Sequence, residues 1–537
     1  MPRADADLVW LLTITLPGVT YRLSTRPLAV TEADGSVTEY SGSLSDVDFA
    51  EEIDLLSVAP ASQTVAVEGY IDPAPVDLAT HGVDLREAVV RLSYALVEPH
   101  RGYGLQTVAH TDRTDVAEGR LAQPAWADPV RPPGWFSASV EATPWTSRVP
   151  LLSPGAVITE ADFPDARDDA YGFPFPLIIG KPGSTSITLF STPAYVIDTT
   201  AGGLAQLLLI AGYDVASVGQ NVTISDGTNT EANAVELGIT PSGQPYYYVD
   251  IDGSPTLNNG VDAVYSVAWS TASGVGGASR PGQPASIGEA IRYLIGRAGL
   301  PFDVGGSAAA LDYLKAIRCD FYLNDPEVSA WDYLATQVLP RLPVTLRYTS
   351  AGLRIDALDP DVPPALCTAA SPDDGWVRLS AAVYDDAPAP KRLVVKGGQN
   401  ALTGGYARIV VISGDAEDIP ADQPSLRAGV DVRTRSPQGV QPPEEEAIEI
   451  PWCQDLSSLY TLALWRAGFR SSRPVTVTYS APVPAGHLEP GAPVAVTDAA
   501  LGWSDRVLWV RSKRWQAGRW IFSLWGVERG AYDAFAG

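Results

Sequence analysis

The residues best suited to acid–base chemistry form a group of carboxylates inside a proline-rich stretch. They are Glu160, Asp162, Asp165, Asp168 and Asp169. A paired-carboxylate hydrolase needs two such groups held several ångströms apart, with pKa values pushed in opposite directions by their surroundings. Nothing in this spacing fixes that geometry. We interpret the group as a solvated acidic loop, and we interpret the run Glu444-Glu445-Glu446 in the same way.

Three short motifs resemble ligand-binding loops. Asp226-Gly227-Thr228-Asn229 and Asp250-Ile251-Asp252-Gly253 look like calcium loops, but an EF-hand needs a glutamate at its twelfth position, which is Val261 when counted from Asp250. Turn chemistry explains both motifs. Gly180-Lys181-Pro182-Gly183 is a poor phosphate loop, because the preceding Gly172 has the wrong spacing and no Ser or Thr directly follows the lysine. The sequence therefore predicts neither a calcium nor a nucleotide site.

The histidines and cysteines are scattered along the chain. The histidines are His81, His100, His110 and His487, and none belongs to a ligand pair such as HExxH. The cysteines are Cys319, Cys367 and Cys453, which are isolated and odd in number, so a disulfide framework or a metal knuckle is not expected. We predict three buried or half-buried thiols made in a reducing cytosol, and no catalytic, cofactor-binding or metal-binding residue.

Composition limits the class of protein. A chain of 537 residues corresponds to roughly three or four domains of about 150 residues each. Its 48 glycines and 45 prolines indicate many turns, which favours a β-dominated architecture. The formal charge of −26 opposes the binding of phosphates, so no specific nucleic-acid binding is expected. We see no signal peptide or membrane span, because Thr13 and Thr15 interrupt the apolar run at 8–16.

Both ends of the chain carry strand patterns joined by turn residues. Near the end, four runs follow one another at 475–479, 492–497, 506–510 and 519–524, and the first alternates apolar and hydroxyl side chains. Near the start, runs at 8–16, 21–24, 28–31 and 37–40 form two hairpin signals, and further strand patterns follow at 64–67 and 89–97. These patterns predict a β-rich domain at each end.

Helix signals are concentrated in the middle of the chain. Ser286 and Glu289 form a capping-box pair, and Gly299 stands where a glycine would end that helix. A second helix is expected after Asp325-Pro326, with the aspartate as its N-cap, and it ends before Pro340. A third helix is expected at 457–469, and a hairpin is expected from strands at 344–348 and 353–356.

The resulting prediction is a β-dominated multidomain α+β fold. The expected divisions are an N-terminal β-rich, barrel-like domain (1–120), an extended linker rich in proline and aromatic residues (121–192), an inserted β-module (193–276), a helix-containing middle domain (277–384) and a C-terminal barrel-like domain with one helix (385–537). The prolines of the linker are expected to prevent long regular elements there. Most of the 14 tryptophans are expected in the core.

Several loose strings together resemble the hub proteins of tailed-bacteriophage baseplates and tail tips. They are TPWTSRVPLL at 143–152, GFPFPLIIGKPG at 172–183, LLLIAGYDV at 207–215, VSAWDYL at 328–334, LPRLP at 339–343 and LEPGAPVAVTD at 488–498. The resemblance implies a non-enzymatic virion protein with tail-tube-like antiparallel β-barrels near both ends. It implies a homotrimer whose six barrels form a pseudo-hexameric ring between the tail tube and the tip, through which DNA passes.

The same resemblance implies partners and a location. The partners would be a distal tail or tail-tube ring, tail-tip or fibre proteins and the tape measure protein, in a virion assembled in the host cytoplasm. Two alternatives stay open. One is a carbohydrate-binding or glycan-hydrolysing protein that uses the carboxylates at 160–169, and the other is a distal tail or receptor-binding protein of the same virion.

Overall fold

The computed structural model describes most of the chain. The described residues are 6–53, 55, 62–71, 88–98, 105–126, 134–142, 147–152, 156–180, 191–199, 207–212, 218–251, 257, 264–269, 285–349, 351–359, 362–384, 390, 392–413, 425–428, 445–471 and 474–527. They divide into two compact units, each built from separate stretches of chain. Unit 1 comprises Met1–Trp145, Val344–Asp385 and Arg473–Glu528, and unit 2 comprises Thr146–Pro343, Asp386–Ser472 and Arg529–Gly537.

The first stretch of unit 1 is made of strands. They are β1 (Asp7–Leu16), β2 (Val19–Ser24), β3 (Leu28–Thr31), β4 (Val37–Tyr40), β5 (Leu44–Glu52), β6 (Ser62–Ile71), β7 (Val89–Val97), β8 (Gln106–Ala109), β9 (Arg113–Trp126) and β10 (Gly134–Ala142). The strand patterns expected near the start of the chain are confirmed.

The first stretch of unit 2 mixes strands and helices. The strands are β11 (Leu177–Ile179), β12 (Thr192–Asp198), β13 (Leu207–Ala211), β14 (Asn221–Ser225), β15 (Thr230–Ile239), β16 (Pro245–Asp250), β17 (Tyr265–Ala268), β18 (Ala285–Ser286), β19 (Arg318–Cys319) and β20 (Phe321–Leu323). The helices are α1 (Ile287–Arg297), α2 (Ala308–Leu314) and α3 (Ala330–Tyr333), and α3 continues as a π-helical turn over Leu334–Val338.

The remaining elements alternate between the units. Unit 1 resumes with β21 (Val344–Thr349), β22 (Gly352–Ala357), β23 (Thr368–Ala370), β24 (Val377–Arg378) and β25 (Val383–Tyr384). Unit 2 then adds β26 (Arg392–Gln399), β27 (Tyr406–Ser413), β28 (Ser425–Ala428), β29 (Glu445–Ile450) and α4 (Leu456–Ser471). Unit 1 ends with β30 (Val475–Ala481), β31 (Pro493–Asp498), β32 (Trp503–Gln516) and β33 (Arg519–Gly526).

Unit 1 is dominated by one 14-stranded sheet. Its main path runs β2-β1-β7-β9-β10-β6-β5-β32-β33-β30-β24, with β31 paired to β32, β23 paired to β31, and β25 paired to β30. Strands from the two ends of the chain therefore share one sheet, and their inward side chains share one core that runs from Trp10 to Leu524. A smaller sheet, β4-β3-β8, lies in the same unit.

Unit 2 contains a closed barrel with the strand order β12-β13-β16-β15-β14-β17. Its interior is lined by fully buried aliphatic side chains such as Val196, Leu208, Val222 and Val249. The barrel strands span 192–268, nearly the same residues as the segment 193–276 that was expected to be an inserted β-module. A four-stranded sheet, β28-β27-β26-β29, is also part of the unit. The β-dominated multidomain α+β fold class is thus confirmed.

The interpretation of residues 121–142 as an extended linker is wrong. Strand β9 continues through Pro124, and β10 pairs with it. The reason is a local irregularity: Ala125 pairs with Ser137 and Ala122 pairs with Ser139, so two residues of β9, one of them Pro124, face a single residue of β10. A bulge of this kind accommodates a proline, because the ladder needs no N–H there.

The capping box of α1 is confirmed, since the Ser286 side chain accepts from the Glu289 N–H and the Glu289 carboxylate accepts from the Ser286 N–H. The N-cap proposed for the second helix is wrong. Asp325 accepts from the N–H of Glu327, at 2.9 Å, whereas α3 is capped by Ser329, whose Oγ accepts from the Asp332 N–H at 2.9 Å. Serine and aspartate are comparable N-cap residues, so residue type alone does not distinguish Asp325 from Ser329. The position at which the helix begins makes Ser329 the cap.

Replacing Ser329 with alanine is expected to lower the free energy of unfolding of unit 2 by about 1 kcal/mol, because the α3 N-terminus loses its cap. Replacing the exposed Asp325 with alanine is the matched control and is expected to cost no more than about half as much. Thermal unfolding of both variants gives the comparison. A larger loss for the Asp325 variant would contradict the assignment of the cap.

Candidate functional site

Two carboxylates of the acidic group, those of Asp162 and Asp169, serve local structure. The carboxylate of Asp162 accepts from the backbone N–H of Ser242 at 3.1 Å and from its hydroxyl at 3.2 Å, which ties the segment to the turn between β15 and β16. Asp169 receives two hydrogen bonds from Arg167, at 2.6 and 2.7 Å. Across the described part of the chain, no group of three or more His, Cys, Asp or Glu side chains could hold a metal ion.

The resemblance of Asp226–Asn229 to a calcium loop is explained by a turn. Oδ1 of Asp226 accepts from the backbone N–H groups of Thr228 at 2.8 Å and Asn229 at 2.6 Å. This is the local bonding by which aspartate forms tight turns. Several other proposed positions, namely His81, His100, Lys181, Asp252 and Gly253, lie outside the described residues.

The cysteines are two buried thiols and one half-buried thiol, as expected. Burial raises the pKa of Cys319 and of Cys453 well above the usual value for a thiol, and the neighbouring charge of Asp320 adds to the shift in both. A nucleophilic cysteine needs the opposite shift. Neither residue is suited to nucleophilic catalysis at neutral pH.

The fold brings a group of charged residues together inside the large sheet of unit 1. They lie where the strands from the first part of the chain meet the strands from its last part. Strand β5 pairs with β32 in antiparallel register, with Glu52 opposite Ser512, Glu51 opposite Lys513 and Ala50 opposite Arg514. Along the main path of the sheet, this pairing is the step that joins the strands of the first 145 residues to those of the last stretch. We call this pairing the β5–β32 junction.

Lys513 is the unusual residue of the β5–β32 junction, because its side chain is only 1% exposed. Its Nζ lies 5.6 Å from the ring centroid of Phe49 and 5.5 Å from that of Trp520, and it donates to the Gly486 carbonyl at 3.4 Å. Burial lowers the pKa of Lys513 to about 8, although the charge of Glu51 acts in the opposite direction. A buried cation next to aromatic faces is stabilised by the ring quadrupoles.

Glu51 is the acidic partner of Lys513 and is 4% exposed. Its carboxylate also accepts from the side-chain amide of Gln63 at 3.3 Å, and the same amide donates to the Val116 carbonyl at 3.1 Å. The three residues stand opposite one another on β32, β5 and β6. The result is a polar chain across three strands inside an otherwise apolar core.

Aromatic rings pack beside this polar chain. Trp10 lies 6.0 Å from Phe49, 5.7 Å from Tyr94 and 6.0 Å from Trp520, measured between ring centroids, and Trp520 lies 5.0 Å from Trp515. Most of these pairs are edge-on or tilted, the geometry that aromatic quadrupoles favour. Because the rings come from both ends of the chain, their packing stabilises the β5–β32 junction on the side that faces the core.

A second buried charge lies in the same unit. Arg347 of β21 is 3% exposed, donates to the Asp356 carboxylate at 2.8 Å and forms an ion pair with Glu489. Its charge contributes to the lowering of the Lys513 pKa, so the two cations lie within electrostatic range of each other. Removing one partner of such a buried pair is strongly destabilising, because the remaining charge is left without compensation.

The far edge of the large sheet has a different character. There β24 and β25 pair with β30, and the apolar side chains of Val377, Leu379 and Val383 are 50%, 54% and 64% exposed. Val377 pairs with Ser480 but Val383 pairs with Thr476, so two extra residues bulge between the two short strands. We call this the β24–β25 edge.

The β5–β32 junction was not predicted from the sequence. One signal was available: Lys513 is one of few lysines in the chain and lies between Trp509 and Trp515, just after the strand run predicted at 506–510. Its chemistry does not suit catalysis, because the amine is enclosed. What the arrangement can do is hold the strands from the two ends of the chain in one register within the large sheet.

Comparison with known proteins gives similarities of structure only. No model of a known protein family matches the chain, and no curated protein is similar to it in sequence. Within the described residues, no helix is long and apolar enough to cross a membrane.

Three solved structures match the chain over nearly its whole length. One is the tail protein from Neisseria meningitidis MC58, with 9% identity, 98% of this chain and 99% of that chain covered, and a TM-score of 0.36. Another is the 43 kDa tail protein of prophage MuSo2 from Shewanella oneidensis, with 10% identity, 98% and 99% covered, and a TM-score of 0.35. The third is prophage tail protein gp18 from Listeria monocytogenes EGD-e, with 8% identity, 99% and 97% covered, and a TM-score of 0.34. All three are tail proteins.

Proposed function

We propose that this chain is a structural protein of a phage tail, the hub that joins the tail tube to the tip. In this proposal three copies form a ring, each copy contributes two tube-like groups of strands, one from each end of the chain, and DNA passes through the centre. The observation that carries the proposal is the β5–β32 junction, where the strands from the two ends of the chain join in one sheet. Two groups of strands fixed side by side in each copy would give the six similar elements that a pseudo-hexameric ring of three copies needs.

The ring proposal assigns a role to the β24–β25 edge. A head-to-tail ring needs an edge of one copy to meet a different surface of the next. Val377, Leu379 and Val383 give this edge an exposed apolar strip. The bulge between the two strands interrupts the row of backbone groups, which limits uncontrolled strand addition. The exposed apolar strip and the bulge both fit an edge that contacts the next copy of the ring through its side chains.

Charge fits passage of DNA. The chain carries a formal charge of −26, so a lumen formed by it would repel the phosphates and let a genome slide without binding. The proposed neighbours are a distal tail or tail-tube ring above, tail-tip or fibre proteins below and the tape measure protein. The proposed location is the virion tail tip, after assembly in the host cytoplasm, and the proposed role is not enzymatic.

One observation favours a second candidate, a carbohydrate-directed protein. The Phe173 ring is 41% exposed and is stacked on Tyr195, with centroids 4.7 Å apart and planes at 25°. Exposed stacked aromatics are a common surface for sugars. The carboxylate of Asp162, however, is engaged in hydrogen bonds to Ser242. A glycan-binding role is therefore better supported than glycan hydrolysis.

The hub proposal is tested by the mass of the protein in solution, measured by light scattering over a range of concentrations and again with tail tubes. A trimer, or a monomer that joins tube ends as threefold rings, is expected. The variant Val383→Asp is expected to weaken self-association at least tenfold, because it places a charge in the apolar strip. Val37→Asp is the matched control, since Val37 is 60% exposed on β4, which belongs to the separate sheet β4-β3-β8.

A protein that stays monomeric at all concentrations and ignores tail tubes would contradict the hub proposal. Equal weakening by both variants would contradict the assignment of the β24–β25 edge and leave the ring itself standing. Retention on a glycan array, lost in Phe173→Ala, would support the second candidate.

A further inference from the structure

Two cysteines far apart in the sequence lie in neighbouring segments of unit 2. Cys319 ends β19, and Cys453 lies shortly before α4. Both are fully buried, and neither forms a disulfide in the structure. The two segments belong to the two separate stretches of chain from which unit 2 is built.

Backbone contacts on both sides of Cys319 fix this neighbourhood. The N–H of Arg318 donates to the Ser458 hydroxyl at 3.0 Å, and the N–H of Asp320 donates to the Trp452 carbonyl at 2.8 Å. Cys319 is the residue between the two donors, and Cys453 lies next to one of the two acceptors. The rings of Phe321 and Trp452 stack beside them with centroids 5.8 Å apart. The two segments therefore run alongside each other at the cysteines.

The electrostatics agree with this placement. The pKa of Cys319 is raised mainly by burial, and also by the charge of Asp320 and by that of Cys453 itself. Asp320 and burial likewise raise the pKa of Cys453. Each thiol is therefore protonated at neutral pH and reacts slowly, which keeps the pair reduced under mild conditions.

We propose that Cys319 and Cys453 are a site for a reversible disulfide that staples the two stretches of unit 2. The oxidant is a small disulfide such as oxidised glutathione. The thiolate of one cysteine attacks it, forms a mixed disulfide and releases one glutathione thiolate. The second cysteine, as its thiolate, attacks the protein sulfur of that mixed disulfide and releases the second glutathione. Two electrons pass to glutathione, and the two protein protons end on the two released thiols.

The consequence is a cross-link that closes a loop of more than a hundred residues. Such a link restricts the unfolded chain and so stabilises the folded unit. This inference stands apart from the proposed function, because it depends only on two thiols within unit 2. If the chain does serve in a virion, the link would form after release from a reducing cytosol into an oxidising medium.

The test uses the full chain, purified with reductant and then incubated with oxidised glutathione at mildly alkaline pH. A non-reducing peptide map is expected to show Cys319 and Cys453 joined, with the loss of two hydrogens, and thermal unfolding of unit 2 is expected to move up by several degrees. The variant Cys453→Ser is expected to abolish both changes. Cys367→Ser is the matched control, since the half-buried Cys367 belongs to unit 1.

A wild-type map in which Cys319 and Cys453 stay free, or carry only glutathione, would overturn the proposal. A linked peptide that contains Cys367 instead would also overturn it. The wild-type map decides the matter even if a serine variant fails to fold. Light scattering of the oxidised protein reports separately on the hub proposal, because neither result depends on the other.

Discussion

The variant Glu51→Gln is expected to lower the free energy of unfolding of unit 1 by about 3 kcal/mol at pH 7, because it leaves the charge of Lys513 buried without its acidic partner. Glutamine preserves the shape of the side chain and can still accept from Gln63, so the change removes charge and little else. The β5–β32 junction is the part of the sheet that should loosen. Hydrogen exchange of peptides from β5 and β32, together with denaturant unfolding, gives the measurement.

The double variant Glu51→Gln, Lys513→Met is the control for this result. Removing both charges leaves an apolar side chain against Phe49 and Trp520, and buried ion pairs replaced in this way are often no less stable than the original. Most of the lost stability should return. If the double variant is as unstable as the sum of the two single variants, the charges of Glu51 and Lys513 are not coupled.

The pH dependence of the wild-type protein's stability provides a second test of the buried Lys513 charge. The pKa of Lys513 is about 8 in the folded protein, below its ordinary value of 10.5. Between these two values the unfolded chain binds more protons than the folded one, so stability should rise with pH, by about 3 kcal/mol over the whole window. Below pH 8 Lys513 is protonated in both the folded and the unfolded state, so its contribution to stability no longer changes with pH. Lys513→Met should remove the rise, and an unchanged profile would contradict the assignment.

Local patterns in the sequence predicted single elements well and their partners poorly. The runs at 475–479 and 519–524 appear as β30 and β33, and the helix expected at 457–469 appears as α4. Alternation and capping signals act over a few residues, so a short window contains them. The pairing of β5 with β32 depends on residues more than four hundred positions apart, which no local pattern encodes.

The two corrected elements show the same limit. Pro124 is a sound reason to doubt a strand, yet a bulge opposite β10 accommodates it. Asp325-Pro326 is a sound helix start, yet Ser329 caps α3 instead. In each case the sequence signal was chemically valid, and the tertiary partner decided whether it was used. Lys513 is the extreme example, because a lysine is ordinarily read as exposed and only the fold supplies Glu51, Phe49 and Trp520 around it.

The variant Gly212→Ala is expected to destabilise unit 2 by about 3 kcal/mol, the upper end of the cost of overpacking a core. A Cβ at Gly212 would lie 2.1 Å from the Cβ of Phe175, which cannot move without its backbone. The two segments are held together by a hydrogen bond from the Gly212 N–H to the Pro176 carbonyl at 2.9 Å. Phe175 is itself 1% exposed and packs against Phe163. The new methyl group therefore has to separate the strand from the segment that covers it.

A matched glycine in the same unit should respond with the opposite sign. Gly296 lies on the exposed side of α1, and a Cβ there would meet no atom within 4 Å. Gly296→Ala should stabilise the helix by about 0.5–1 kcal/mol, since alanine loses less backbone freedom on folding. Thermal unfolding of the two variants therefore separates the steric cost of a new methyl group at Gly212 from the gain in helix propensity at Gly296. If Gly212→Ala unfolds at the wild-type temperature, Phe175 does not hold the position described, and the packing of residues 156–175 on the barrel needs revision.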